Sequence, residues 1–310
     1  MLHRISLLIA VSYMTVDLFA EELSLKSTDN GYEVRVGEKL FAGYITDFSG
    51  TPIVYPIVGP TEKNMTRNYP MQSNYKSVRT DHPHHRSFWF AHGSVNGLDF
   101  WTAKYKIVHK RFLTTECDEQ TALLVTENDW LGNDNQIVCR DVRSLRFAVS
   151  EDRRIIDFDI TITAEQEQVV FGDTKEGTFG IRVPEAIAVE TKKGGRFVNA
   201  EGKTDREAWG KRSAWVDYYG LLDEEKVGIA VLNHPSSLRF PTYWHVREYG
   251  LFAANPFGVH DFEQQPEGKT GDVTLPKGES FTLRYRVLFH KGEPNEANIT
   301  DAFKEYSDKK

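Results

Sequence analysis

Apolar and polar side chains alternate one for one along much of this chain. Ile156, Phe158, Ile160 and Ile162 take turns with Asp157, Asp159, Thr161 and Thr163. Phe281, Leu283, Tyr285, Val287 and Phe289 do the same with Thr282, Arg284, Arg286 and Leu288. A period of two marks strands with one buried and one wetted face, the usual state of an antiparallel sheet. Noisier runs predict further strands over 32–45, 105–116, 121–128, 136–149, 179–183, 195–199, 213–220, 227–233 and 249–254. Turn signals such as Asp29-Asn30-Gly31 and Lys193-Gly194-Gly195 separate them. The period changes only in the tail. There Ile299, Ala302, Phe303 and Tyr306 recur at helical spacing after Pro294 and Asn295, which predicts a C-terminal helix laid on a sheet edge. The pattern reads as an all-β chain: an antiparallel β-sandwich of the large supersandwich kind, in a single domain over 21–310.

The first twenty residues depart from this pattern. His3 and Arg4 precede an apolar run from Ile5 to Ala20, with Glu21-Glu22 following, which reads as a signal peptide over 1–20 and a secreted or periplasmic protein. No other stretch approaches the length of a membrane span, so none is expected in the mature protein. Hydrophobic content of 40% and aromatic content of 12% suffice for a core, and a net charge of −7 argues against a nucleic-acid partner. The two cysteines, Cys117 and Cys139, fall near opposite ends of the strand between them and are expected as separate thiols.

Candidate chemistry concentrates in Asp81-His82-Pro83-His84-His85-Arg86-Ser87, which continues through Phe88-Trp89-Phe90 to His92 and holds four of the chain's ten histidines. Pro83 is expected to hold His82 extended, placing His82 and His84 on one side of a strand and His85 on the other. A buried imidazole needs a partner for each ring nitrogen, so three together point to function rather than packing.

Two chemistries suit the cluster. One is a divalent metal held by His82 and His84 with His234 or His245, although neither a following carboxylate nor helical His spacing supports it. The other is acid–base work on a polyhydroxylated ligand, a small molecule or oligosaccharide, with no cofactor required. In that reading His84 or His85 exchanges the proton, Glu176 is the complementary base, and His92 is a further catalytic candidate. Arg86, Lys175, Arg182, Lys211, Arg212, Arg247 and Asn255 would orient the ligand, and Trp215 and Trp244 would stack on it. A non-catalytic glycan-binding module is the third reading. No nucleophile elbow or phosphate-cradling Gly-rich loop is present.

Several longer motifs carry a family resemblance. They are Gly50-Thr51-Pro52-Ile53-Val54-Tyr55-Pro56, the His-rich segment through His92-Gly93, Gly172-Asp173-Thr174-Lys175-Glu176-Gly177, Trp209-Gly210-Lys211-Arg212, and Trp244 to Gly250 with Asn255-Pro256-Phe257-Gly258. Over roughly residues 40 to 290 they resemble soluble bacterial proteins labelled "methane oxygenase PmoA". The label implies a metal-dependent oxygenase. The membrane subunit of that name is an integral membrane protein, whereas this chain offers no spans. The resemblance therefore implies a carbohydrate connection, since such proteins often accompany sugar-directed enzymes in polysaccharide-degrading bacteria. Thr51 to Pro56 followed by the His-rich loop also resembles galactose-mutarotase-like sugar mutarotases, whose supersandwich uses His as acid and Glu as base. The mutarotase Glu motif has no clear match here.

Overall fold

A computed structural model describes residues 22–73, 79–264 and 270–309; the expected signal peptide lies outside them. In chain order the strands are β1 (Leu23–Thr28), β2 (Gly31–Val36), β3 (Lys39–Ile45), β4 (Ile53–Ile57), β5 (Phe88–His92), β6 (Lys106–Cys117), β7 (Thr121–Leu131), β8 (Ile137–Ser150) and β9 (Arg153–Thr163). They continue as β10 (Val169–Phe171), β11 (Gly177–Arg182), β12 (Arg196–Asn199), β13 (Trp215–Leu222), β14 (Glu225–Asn233), β15 (Tyr243–Val246), β16 (Leu251–Asn255), β17 (Val273–Leu275) and β18 (Ser280–Lys291). Two α-helices among the described residues, α1 (Val259–Glu263) and α2 (Ile299–Ser307), and four short 3-10 turns accompany the strands.

The first sheet has eight strands in the order β1-β2-β3-β4-β5-β11-β16-β15, and the second has eight in the order β12-β13-β14-β18-β9-β8-β7-β6. All the recorded pairings are antiparallel, and β10 and β17 form a small separate ribbon. The two large sheets pack face to face, as the supersandwich expectation requires. Phe88 of the first sheet meets Phe158 of the second at 5.4 Å, and Phe179 stacks on Tyr285 at 4.7 Å. The alternating strands behave as their period predicts: Ile156, Phe158, Ile160 and Ile162 are buried toward this interface. Burial of such side chains contributes roughly 1.5–3 kcal/mol each.

One polar knot lies inside the sandwich. Asp141 and Arg143, both buried, pair at 2.8 Å, and Asp141 also accepts from Trp130 Nε1 at 2.6 Å and Asn128 Nδ2 at 2.7 Å. A buried ion pair offsets its desolvation only when its remaining valences are filled, and these neighbours fill them for Asp141.

Three sequence expectations shift. The run 32–45 is two strands, β2 and β3, turning at Gly37-Glu38. The strands β4, β5 and β15 did not stand out because most of their residues are buried on both faces, which removes the alternation. Helix α2 starts at Ile299, later than Pro294 and Asn295 suggest, and lies on a sheet face rather than an edge. Its Ile299, Ala302 and Tyr306 pack on Trp215, Ala230, Leu232 and Leu288 of β13, β14 and β18. The cysteines are separate thiols, Cys117 exposed and Cys139 buried. Among the described residues no helix is long and apolar enough to cross a membrane.

Candidate functional site

Because Phe88, Phe90 and Phe179 point into the sandwich, the residues between them on β5 and β11 point away from it. Register pairs Trp89 with Gly180, Gly180 with Ala253 and Ala253 with His245, one cross-strand row on the outer face of the first sheet. Small residues sit in its middle. A Cβ at Gly180 would come within 2.8 Å of the Trp89 ring, so the indole lies across the glycine and no larger residue fits beneath it.

The His-rich segment stands over this row, as a turn rather than the expected strand. The His85 N–H donates to the His82 carbonyl at 3.0 Å, closing a turn around Pro83 and His84, and His82 has φ 47 rather than an extended backbone. The turn stacks the imidazoles instead of alternating them. His82 lies parallel to His85 at 4.8 Å on one face and to Tyr249 at 4.9 Å on another contact, while His84 meets His85 edge-on at 4.4 Å. His85 in turn stacks on Trp89 at 5.5 Å, and Trp101 leans on Trp89 at 4.9 Å.

Arginines hold this stack from below. Arg67, almost wholly buried, donates to the Asp81 carboxylate and to the carbonyls of Asp81 at 2.8 Å and Tyr69 at 3.2 Å. Arg182, also buried, reaches Asp81 Oδ1 at 3.3 Å with Nη2 and His85 Nδ1 at 3.1 Å with Nη1. Burial raises the Asp81 carboxyl, but the Arg67 hydrogen bond and the charges of Arg182 and Arg67 outweigh it and hold the group near 2.

His85, His245 and His84 differ in what their rings can do. Burial, reinforced by the charges of His84 and Arg182, keeps His85 far below its ordinary value and therefore neutral. Its Nδ1 must accept from Arg182, so its proton sits on Nε2, and the ring is a hydrogen-bond donor rather than a base. His245 on β15 repeats the arrangement: Trp209 Nε1 donates to its Nδ1 at 3.2 Å, and burial followed by the charges of Arg247 and Lys175 lowers it to about 3. His84 differs. It is half-buried and makes no hydrogen bond among the described residues; burial and then the charges of His82 and Arg86 lower it to about 4. It is a neutral imidazole with free nitrogens.

Arg247 bridges the two halves of the site, 5.8 Å over the Trp209 ring and 5.7 Å over that of Tyr249, which also lies 4.8 Å beneath Arg182. Lys175 and Glu176 form a half-exposed pair at 3.2 Å in the turn before β11. Asn255 is fully buried and builds that turn, donating to the Thr174 carbonyl at 2.8 Å and accepting from Phe257 N–H at 2.9 Å, so it is removed from ligand contact.

Other candidates lie elsewhere. His92 is on the inner face of β5, buried between Phe171 and Phe257 with Nε2 on the Gly172 carbonyl at 2.8 Å, and burial lowers it to about 4. It is a core histidine, not a catalytic one. Trp244 is buried in the core, donating to the Ser213 carbonyl at 2.9 Å, and Trp215 lies under α2 on the other sheet. Neither can stack on a ligand in this site. Lys211 is exposed, and Arg212 spends its guanidinium on the carbonyls of Pro241 and Arg239 at 2.7 and 3.0 Å, beside α1.

The metal set does not fit. His234 belongs to β14's end, with Nδ1 on Ser236 and Nε2 on the Lys309 carbonyl, so both nitrogens are used. His82 and His84 meet edge to face at 5.7 Å, His245 Nδ1 is taken, and the surrounding arginines repel a cation. Among the described residues no three His, Cys, Asp or Glu groups are placed to hold a metal ion.

Sequence reasoning missed Arg67, Trp101, Trp209 and Tyr249 as members of the site. Tyr249 and Trp209 lay inside motifs already singled out and were signalled there. Arg67 had no signal, because its partner Asp81 is far along the chain.

Fold and site together define a large antiparallel β-sandwich protein with a ring-lined, arginine-held site on one outer face. Residues 31–304 match the family of unknown function (DUF6807), and the chain belongs to that family. No curated protein matches the chain. Among solved structures it is similar to an alpha-galactosidase from Lactobacillus brevis, at 8% identity and TM-score 0.43, with 89% of this chain and 40% of that one covered. It thus spans about two fifths of that protein's length. It is also similar to a galactose 1-epimerase from Lactobacillus acidophilus NCFM at 11% identity and TM-score 0.41, covering 88% and 100% of the two chains. A galactose mutarotase-like protein from Clostridium acetobutylicum stands at 8% identity and TM-score 0.42, covering 88% and 99%.

Proposed function

We propose that this protein binds a sugar on the outer face of the first sheet and moves a proton there, with His84 as the exchanging base. The observation that carries the reading is the ring stack His82–His85–Tyr249 beside the Arg182–His85 hydrogen bond. Flat rings match the apolar face of a pyranose, while guanidinium and imidazole N–H groups reach its hydroxyls. Above pH 4 His84 is unprotonated and has free nitrogens, so it can accept a proton from a ring hydroxyl or carbon. His85 Nε2–H then hydrogen-bonds to the oxygen on which charge develops without transferring its proton, and His84 returns the proton it took to complete the exchange. Arg182 and Arg247 orient the ligand. Glu176, held by Lys175, is the complementary carboxylate of this reading, and a protein acting outside the cytoplasm would meet such sugars.

The test is NMR of neutral and acidic mono- and oligosaccharides in D2O after overnight incubation with the full chain. New resonances or solvent deuterium in the sugar are expected, and His84→Ala should remove them while leaving Tm within a few degrees. Equal turnover by that variant removes His84 from the mechanism. A second reading, a glycan-binding module without catalysis, is favoured by one observation: His85 and Glu176 are both committed to neighbours, at 3.1 and 3.2 Å. It predicts saturable binding and an unchanged sugar.

A further inference from the structure

Three arginines are buried around the His-rich turn, Arg67 at 2%, Arg86 at 4% and Arg182 at 1% exposure. Asp81 serves Arg67 and Arg182. Arg86 has no such partner: among the described residues no carboxylate lies within ion-pair distance of it, no hydrogen bond engages it, and its Nε is buried and unpaired. A guanidinium keeps its proton even when desolvated, so the charge stays. Asp47 acts on it only from beyond ion-pair distance and does not offset its burial, and a buried charge without a close partner is costly unless something supplies the counter-charge.

Neighbouring donors are left open in the same way. Trp89 Nε1 and Trp101 Nε1 are buried without acceptors, and so is Thr51 Oγ1, two residues before the Ile53 that pairs with Trp89. The two indoles are in contact at 4.9 Å and both touch His85, so their rings belong to the stack beneath the His-rich turn, with the N–H groups buried behind it. Arg86 directly follows His85, at the end of the turn that carries His84. Unsatisfied donors with one unpaired cation call for an acceptor-rich anion.

We infer that the sugar is acidic: a uronic acid whose carboxylate seats on Arg86, with the Trp89 and Trp101 N–H groups as flanking donors. The inference rests on the sugar reading above. It also follows from geometry that a planar carboxylate suits the guanidinium fork better than a hydroxyl does.

The experiment titrates the full chain with D-galacturonate, D-glucuronate, D-galactose, D-glucose and galactose 6-sulfate, by calorimetry and ligand-observed NMR. A uronate should bind about tenfold or more tighter than its neutral counterpart. Arg86→Met should abolish that preference and, by removing a buried charge that has no close partner, raise the ligand-free Tm by about 2–4 °C. Arg86→Lys, which keeps the charge but not the fork, should retain part of the preference and tests the proposal should the Met variant not fold. Equal affinity for acidic and neutral sugars overturns the anion seat and leaves the sugar reading standing. Binding of galactose 6-sulfate but of no uronate overturns the carboxylate. A preference undiminished in Arg86→Met, or a lowered Tm, overturns the role of Arg86. Binding of none of the five overturns this inference together with the sugar reading.

Discussion

The outer face of the second sheet is closed by α2, which lays Ile299, Ala302 and Tyr306 on Trp215, Leu232 and Leu288. Its buried charges come as matched pairs: Arg286 forks Asp157 at 2.6 and 2.7 Å, and His290 meets Asp217 at 3.2 Å. The outer face of the first sheet carries rings and arginines over a row of small residues, and among the described residues Arg86 has no carboxylate within ion-pair distance. The two faces come from the same strand chemistry, so their difference is not forced by the fold. Among the described residues one face is covered by a helix of the chain, and the other carries a buried guanidinium without a close counter-charge.

The largest expected effect lies on the completed face. Trp215→Ala removes the indole that α2 covers, and a Trp-to-Ala cavity costs about 3–5 kcal/mol. Urea unfolding should show that loss, while affinity for an acidic sugar at the opposite face stays within about twofold, since distant sites act independently. A comparable loss of sugar affinity in the still-folded variant would mean that the faces are coupled.

The faces should also answer pH with opposite signs. Burial opposes the charging of His290, but Asp217 outweighs it and raises the group above its ordinary 6.5. Its contribution is therefore complete below pH 6.5 and lost as pH rises through the raised value. His245 is held near 3, chiefly by burial, so the unfolded chain takes up a proton first as pH falls. Stability from that side is present above 6.5 and lost, by a few kcal/mol, between about 6.5 and 3. Denaturation at a series of pH values checks both. The deficit of His290→Gln should shrink toward alkaline pH, and His245→Gln should flatten the acid decline; parallel pH curves for both variants and the wild type would sink the assignment.

The difference between the faces also explains what could be read from the sequence. Strands such as β9 and β18 were legible because water on one side enforces alternation. The helix α2 was legible by its spacing, though not its seat on a sheet face. The site was half legible. Imidazoles crowded at His82, His84 and His85 announced themselves, and Arg182 and Arg247 followed from their motifs. Arg67 and Trp101 did not, because they reach the turn only through sheet topology, and Tyr249 was signalled only as part of its motif. Trp215 and Trp244 were misplaced for a related reason: an aromatic beside a cation in sequence says nothing about which face of its strand it occupies. His92 shows the same limit, since three residues beyond Trp89 the strand has turned its side chain inward.

The smallest effect concerns Tyr249, where the first face is held by quadrupoles instead of burial. Its ring lies parallel to His82 at 4° and faces Arg182 at 4.8 Å and Arg247 at 5.7 Å. Each cation–π contact to this partly exposed ring contributes about 0.5–1 kcal/mol, the one to buried Arg182 at the upper end. Tyr249→Leu keeps apolar bulk but loses the ring, so stability should fall by roughly 1–2 kcal/mol. Arg182 would still be anchored by Asp81 and His85, whereas Arg247 would lose one of its two ring contacts and swing more freely. Sugar affinity should then weaken several-fold through a faster off-rate, while Tyr249→Phe, with the ring kept, matches the wild type in both. A Phe variant as impaired as the Leu variant would shift the role from ring to hydroxyl, and would make Tyr249, rather than His84, the first group to test for proton transfer.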